Sequence, residues 1–341
     1  MKILTVVIPT YNVEKYLERC LDSLTYDESI LDDLEILVVN DGSKDNSLSI
    51  AKKYEKMYSN CIKVIDKENG GHGSTINAGL KVATGKYFRV VDSDDWVNID
   101  DFPMFVKELK KINADLVITD YRRELIYSGE SILVPYTDKI EFDKLYNIEE
   151  FDLSSLGDEY FTMATSTYKT EKLRTAKLVL DEHTFYVDME YNLLAFPQIE
   201  TFIRLNYDIY RYYIGRLDQS ININSMIKNR AHHEKVLKRL IEFYSNTKLS
   251  NNKKQYVEKV LILLSRTHYI IYCKSTLPSR KILNEIREFD NYMKEKSPKL
   301  YNATNKYKFI RFHRKTNFIF AQSYRGIIAR IIEKYSSEEE K

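Results

Sequence analysis

The chain has 341 residues, of which 43% are apolar and 30% charged, and the charges nearly cancel at a formal +2. That length suits two domains, or one large domain with an extension. The balanced charge lacks the domain-wide basic excess of a nucleic-acid binder. The three cysteines, Cys20, Cys61 and Cys273, are far apart and in no ligand spacing, which excludes a disulfide framework or zinc site and fits a reducing cytoplasm.

In chain order, Leu4–Ile8 reads as a buried β-branched strand. The apolar run 3–9 around it is too short to span a membrane and lacks the small-residue cleavage site of a signal peptide. A helix is predicted over Val13–Leu24 with Asn12 as its N-cap. A strand follows at Leu34–Val39, then the turn Asn40-Asp41-Gly42-Ser43 and a helix over Asn46–Met57. Ile62–Asp66 reads as a third strand, Glu68–Ser74 as a glycine-rich loop and Thr75–Ala83 as a third helix. Tyr87–Val91 is a fourth strand that runs into Asp92-Ser93-Asp94-Asp95. Strictly alternating strands and helices predict a parallel sheet covered on both faces. Ligands then bind outside the carboxyl ends of the strands. The polar clusters after strands one, two and four therefore face a common crevice. Beyond it, Phe102–Ile112 reads as a helix, Asp115–Thr119 as a strand and 188–196 as a helix. From about residue 226 to 296 the periodicity is helical, as in Val236, Leu237, Leu240, Ile241 and Tyr244. The expected division is 1–222 for an α/β domain and 223–341 for a mainly helical one.

Three clusters carry chemistry. On an extended strand Asp92 and Asp94 would project to the same side, and two hard carboxylates suit magnesium or manganese. The bland alternative is acidic capping at a strand-to-helix junction. Asp41, just past a buried strand, can accept a hydrogen bond from a base N–H, or be part of an ordinary Asp-Gly turn. In Pro9-Thr10-Tyr11-Asn12, Tyr11 offers a stacking face and Thr10 a hydroxyl, or the four simply connect strand to helix. No Gly-x-Gly-x-x-Gly follows the first strand, which argues against a dinucleotide-dependent oxidoreductase, and no Walker-type loop is present.

The ordered set Val6-Val7-Ile8-Pro9-Thr10-Tyr11-Asn12, Asn40-Asp41-Gly42-Ser43, Asn69-Gly70-Gly71, Asn77-Ala78-Gly79, Thr84-Gly85-Lys86-Tyr87 and Asp92-Ser93-Asp94-Asp95 resembles glycosyltransferase family 2 of bacterial capsule and exopolysaccharide type. The match is strong over residues 3–100 and weaker to about 222. It implies a GT-A fold, a nucleotide-diphosphate sugar donor (most often a UDP-sugar), an Mn2+ or Mg2+ ion, and inverting transfer to a glycan, lipid-linked or protein-linked acceptor. By the same resemblance Thr10, Tyr11 and Asp41 hold base and ribose, with Pro9, Asn12, Asn69, Gly71 and Ser93 around the nucleotide sugar. Asp92 lies near ribose and metal, and Asp94 is the main metal ligand. Asp188, in Phe185-Tyr186-Val187-Asp188-Met189-Glu190, maps onto the base that takes the acceptor proton, with Glu190 as fallback. Arg216 would neutralise the diphosphate, or is a surface arginine in a turn.

Two departures stand out. The arginine that many members carry before Asn-x-Gly is Ile76 here, so His72 and Gly73 either take over part of its task or only shape the loop. The Gln-x-x-Arg-Trp motif of processive synthases is absent. A nucleotidyltransferase of similar fold and a non-catalytic sugar-nucleotide-binding module are the competing readings. Finally, residues 306–334 interleave eight Lys or Arg with apolar residues against the single acid Glu333. Such a segment either lies peripherally in an anionic membrane interface on the cytoplasmic side or packs on the helical domain with its basic residues solvated.

Overall fold

The computed structural model describes residues 2–215, 219–220, 222–274 and 280–320. The chain divides into two compact units, one of Met1–Leu217 with Leu249–Tyr256, the other of Asp218–Lys248 with Val257–Lys341.

The first unit is built on a ten-stranded sheet. Its amino-terminal half holds β1 (Leu4–Thr10), α1 (Leu17–Thr25), β2 (Leu34–Asn40), α2 (Ser47–Met57), β3 (Ile62–Asp66), α3 (His72–Val82) and β4 (Tyr87–Val90). Then come β5 (Trp96–Val97), α4 (Asp101–Leu109), β6 (Leu116–Leu125), β7 (Ser131–Val134), β8 (Leu145–Asn147), β9 (Ser166–Lys169), α5 (Thr170–Thr175), α6 (Asp188–Ala195) and β10 (Thr201–Ile214). The strand order is β3-β2-β1-β4-β9-β6-β10-β5, with β7 on β6 and β8 on β10.

Every residue of β1 and β2 is buried, as a strand covered on both faces requires. Leu4, Val6 and Ile8 and their neighbours Leu34, Ile36 and Val38 pack in one core with Leu17, Leu21 and Leu24 of α1 and Phe102, Phe105 and Leu109 of α4. On the other face Gly79 of α3 abuts Val7, where a Cβ would collide with the valine methyls. The sheet departs from the all-parallel expectation. Strands β3, β2, β1 and β4 are parallel, but β9 runs antiparallel to both β4 and β6. A second crossover is replaced by a reversal, because the chain returns to the sheet centre from the irregular stretch 135–165 and not from a helix.

The first turn of the helix α9 (Asn251–Lys274) belongs to this unit. Asn252 Nδ2 donates to the carbonyls of Ile148 and Phe151, Lys253 Nζ to Pro197 O at 2.9 Å, and Tyr256 OH accepts from the Phe161 N–H at 2.8 Å.

The second unit is helical: α7 (Ile223–Lys228), α8 (Arg230–Asn246), the rest of α9, α10 (Arg280–Lys296), α11 (Pro298–Ala303) and α12 (Lys308–Lys315). The stripe Val236, Leu237, Leu240, Ile241 and Tyr244 is buried along with Leu261, Tyr269, Ile286, Phe289 and Met293. Ile310, His313 and Phe318 are buried too. Arg314, read from the sequence as part of a solvated or membrane-facing basic face, points inward instead: it donates to Asp290 at 2.7 Å and to Tyr269 OH at 2.9 Å. Lys308, Arg311, Phe312, Lys315, Ile319 and Phe320 remain exposed. The part of the basic segment beyond residue 320 lies outside the described residues, as does Arg216.

Candidate active site

The site lies at the carboxyl ends of β1, β2, β3 and β4. Thr10 and Asn40, the last residues of β1 and β2, sit side by side in register, so the segments that follow them leave the sheet together. Asn12 does not cap a helix. It has φ 54° and ties two loops together: its Oδ1 accepts from Lys44 N at 2.8 Å and its N–H donates to Ser43 Oγ at 3.1 Å. Helix α1 starts only at Leu17. Pro9 is buried within β1. Thr10 is buried and its hydroxyl turns back to Ile8 O at 3.0 Å, so it offers no free donor. Tyr11 is half-exposed and lines a pocket of ≈ 490 Å³ with Gly42, Lys44, Asp66, Lys67, Glu68 and Asn69.

Asp41 has a different surrounding from the one expected. It is 2% exposed, and its carboxylate accepts from Lys67 Nζ (2.8 Å), Gly70 N (2.9 Å), Gly71 N (2.8 Å) and Asn69 Nδ2 (3.0 Å). With Ser74 Oγ at 3.3 Å as a fifth donor, the carboxylate holds the glycine-rich loop, and a base N–H would have to share it. Asn69 and Gly71 are thus held by Asp41. Gly71 has φ 83° and an added Cβ would lie 3.1 Å from His183 N, which is why this corner takes glycine.

The loop delivers His72 as the first residue of α3, earlier than the helix start predicted at Thr75. His72 Nε2 lies 2.8 Å from Asp92 Oδ1. Burial of the imidazole pulls its pKa down, but the charges of Asp92, Asp188 and Asp94 outweigh this and raise it. Asp188 opens α6 and its own pKa is raised, first by burial; His72 opposes that shift and Asp92 adds to it. Around it stand Tyr160, whose hydroxyl is pushed up to about 12 by burial and then by Asp188, and Tyr212, raised by burial and then by the site aspartates.

What brings Asp188 to His72 is a reciprocal amide contact. Asn77 Nδ2 donates to Leu180 O at 2.9 Å and Leu180 N donates to Asn77 Oδ1 at 2.8 Å. The segment before α6 is thereby fixed on α3. Gly73 lets it approach, since any Cβ there would clash with the carbonyl of Asp181. Glu190 is completely buried and accepts from Asp181 N at 2.8 Å. It holds the same segment from inside and does not face the crevice, which removes it as the fallback base.

The acidic cluster is a turn. β4 ends at Val90, and Asp95 N bonds back to Asp92 O at 3.0 Å, so the strand-alternation argument for Asp92 and Asp94 does not apply. Both are half-buried, and Ser93 and Asp95 are buried. Asp95 accepts from Tyr210 OH at 2.6 Å and Tyr213 N at 2.8 Å, pinning β10 to the turn. Burial, then Asp94 and Asp92, push its pKa well up. Among the described residues no three His, Cys, Asp or Glu side chains group tightly enough to hold a metal alone. Two hard carboxylates in one turn do fit a divalent ion that completes its shell with phosphate oxygens and water.

The family model for glycosyl transferase family 2 matches residues 5–164. Over these residues the chain is similar to glycosyltransferase family 2. An uncharacterized glycosyltransferase of Bacillus subtilis, EpsJ, is 32% identical over 215 residues, covering 62% of this chain and 60% of EpsJ. Staphylococcus aureus TarS, a poly(ribitol-phosphate) β-N-acetylglucosaminyltransferase, is 30% identical over 182 residues, 47% of this chain and 31% of that protein. The chain therefore spans less than two thirds of the length of these curated relatives. The crystal structure of TarS residues 1–349 with UDP-GlcNAc superimposes with a TM-score of 0.69 at 19% identity, over 95% of this chain and 91% of that one. The fold is GT-A with a helical carboxyl-terminal region.

Sequence reasoning missed several residues here. Asp66 lines the Tyr11 pocket and accepts from Asn40 Nδ2 at 2.7 Å; its place at the end of the third strand was the available signal. Tyr160 comes from a distant segment that no local pattern marks, while Tyr210 and Tyr212 lie in the segment 210–220, which resembles the one that closes the catalytic domain in bacterial family members but gave these tyrosines no role.

Proposed function

We propose that the chain is an inverting glycosyltransferase that moves a sugar from a nucleoside-diphosphate donor, a UDP-sugar, to a hydroxyl of a glycan, glycolipid or glycoprotein. The observation that carries this reading is the 2.8 Å contact of His72 Nε2 with Asp92 Oδ1, in the turn at the carboxyl end of β4 that also carries Asp94. TarS crystals with UDP-GlcNAc and UDP, on the same fold, support the donor class.

In this reading the uracil stacks on Tyr11 in the pocket bordered by Asp66 and Lys67, with Asp41 setting the loop that frames it. Asp94 and Asp92 hold Mn2+ or Mg2+, which when bound neutralises the charge that develops on the departing diphosphate. A mannosyltransferase of Pyrobaculum calidifontis solved with GDP-Man and Mn2+ has a comparable fold, with a TM-score of 0.52, and supports the metal.

His72, whose pKa is raised by the charges of Asp92, Asp188 and Asp94 against the opposing effect of burial, stands at the amino terminus of α3, where backbone dipoles also favour an anion. It supplies the positive charge that Ile76, fully buried in the core, cannot. Asp188 takes the acceptor proton. Its pKa, raised first by burial, makes it a stronger base than an ordinary carboxylate.

For the acceptor side, the exposed Lys308, Arg311 and Lys315 with Phe312, Ile319 and Phe320 form a cationic and apolar surface on the helical unit. We place it against anionic lipid at the cytoplasmic face, which suits a lipid-linked acceptor. Among the described residues no helix is long and apolar enough to cross a membrane.

The deciding experiment is a donor screen that follows UDP release over common nucleotide sugars, with and without chelator. Release of UDP with one sugar, dependent on Mn2+ or Mg2+, is expected. Release of pyrophosphate instead would make the chain a nucleotidyltransferase.

A further inference from the structure

One face of α1 meets the acidic turn at successive points. Arg19 Nη2 donates to the backbone carbonyl of Asp94 at 2.9 Å, Cys20 Sγ lies 3.9 Å from Asp92 O, and Ser23 Oγ accepts from Val97 N at 3.1 Å. Positions 19 and 23 are four apart, so they share a helix face. The turn therefore does not stand on β4 alone; α1 braces it from behind.

The brace at Arg19 has an unusual build. Its Cζ lies 3.7 Å from the ring centroid of Trp96 and 4.3 Å from that of Tyr213, and the two rings are themselves 5.7 Å apart. The guanidinium thus packs against two aromatic rings tilted 60° to each other, and its Nε is buried with no hydrogen-bond partner. Leaving a buried guanidinium N–H unpaired is costly. A structure tolerates that where the group's position matters more than its full satisfaction. A planar, weakly hydrated cation fits against rings, and a compact, strongly hydrated ammonium does not.

The geometry matters because Asp92 and Asp94 lie two residues apart in one turn, and their like charges push the turn open. A cation behind the turn offsets this repulsion, and its hydrogen bond fixes the peptide between Asp94 and Asp95. We infer that Arg19, clamped by Trp96 and Tyr213, is a positioning residue that sets the direction of the Asp94 carboxylate toward metal and diphosphate. This rests on the sugar-transfer reading of the same turn. Arg19 touches neither reacting atom; it acts through Asp94.

The test is a calorimetric titration of UDP into the full chain, in Mn2+ and separately in EDTA, with thermal melts of every variant. Arg19→Lys keeps the charge and loses the stack. Trp96→Leu loses one face of the clamp, and Trp96→Phe retains it. Arg19→Lys and Trp96→Leu are expected to weaken UDP binding in Mn2+ by about tenfold, with Trp96→Phe restoring most of it. In EDTA, where Asp94 has no metal to hold, the variants should match the wild type. Equal affinity of Arg19→Lys and wild type in Mn2+ overturns the inference. So does an equal loss in Mn2+ and EDTA, which marks a general structural defect. Should Arg19→Lys not fold, the Trp96 pair decides by the same criteria. Absence of any Mn2+-dependent UDP binding by the wild type would instead remove the sugar-transfer reading, and the inference with it.

Discussion

His72 Nε2 and Asp92 Oδ1 lie 2.8 Å apart, joining the first residue of α3 to the turn after β4. The contact links the loop organised by Asp41 to the turn carrying Asp94, and its charge also bears on Asp188. His72 lowers the Asp188 pKa against the larger effect of burial. Removing the imidazole therefore lets that pKa climb further. His72→Ala should lower turnover by roughly 10–100-fold through lost diphosphate neutralisation. The acid limb of its pH–rate profile should move to higher pH, by up to about one unit. A shift to lower pH, or none, would show that His72 does not act on Asp188.

Asp188→Asn keeps the shape and removes the basicity. A positioned base contributes about 10²–10⁴-fold, so turnover should fall by that order while UDP affinity stays near wild type. Wild-type activity itself should fall on the acid side with a pKa above that of an ordinary aspartate, since the base must be ionised. Glu190→Gln should show the opposite profile. With its buried carboxylate holding Asp181 N, the substitution should cost thermal stability first.

Asn77→Ala tests the link between α3 and the segment before α6. It strips the partners from both the N–H and the C=O of Leu180. Each unpaired buried group costs about 1–3 kcal/mol. Denaturant unfolding should show a loss of about 2–6 kcal/mol for the two groups together, and kcat should fall with it as Asp188 loses its placement. Unchanged stability would mean that water replaces the amide without cost.

These contacts show why the sequence was readable in part. The strands β1, β2 and β4 follow from their apolar runs, and Asp41, Asp92 and Asp94 stand out by turn chemistry and ordered spacing, whereas Asp188 was singled out only through the family resemblance. The role of Asp41 was not readable, because its donors, Lys67, Asn69, Gly70, Gly71 and Ser74, lie 26–33 positions away. The α1 start was misplaced for a similar reason. Asn12 resembles an N-cap by type, but its side chain is taken by Lys44 across the crevice. The reversal at β9 has no local sign, since Ser166–Lys169 looks like any short strand. Tyr210, 115 positions from Asp95, could be placed there only by the fold.

The helical unit carries a pH dependence of its own. His233 Nδ1 and His268 Nδ1 are 3.1 Å apart in its core, stacked near Phe289 and Tyr272, with Glu234 and Lys238 alongside. Burial, then His268, pulls His233 down to about 3, and burial lowers His268 despite Glu234. Both folded pKa values thus lie below the unfolded value near 6.5. Below pH 6.5 the unfolded chain binds more protons, so stability falls as pH drops toward the folded values. The Tm of the full chain should decline between pH 7.5 and 5, and His233→Phe should flatten that part of the curve. A Tm independent of pH in this window would show the pair titrating normally.

The Asp92–Asp95 turn, in the proposed function, holds a metal and a nucleoside diphosphate together. UDP affinity by calorimetry tests this for the wild-type chain in Mn2+, for the same protein in EDTA, and for Asp94→Ala in Mn2+. Binding in Mn2+ is expected to be weakened at least about tenfold by EDTA, with Asp94→Ala in Mn2+ no tighter than wild type in EDTA. Equal UDP affinity under all three conditions would contradict it.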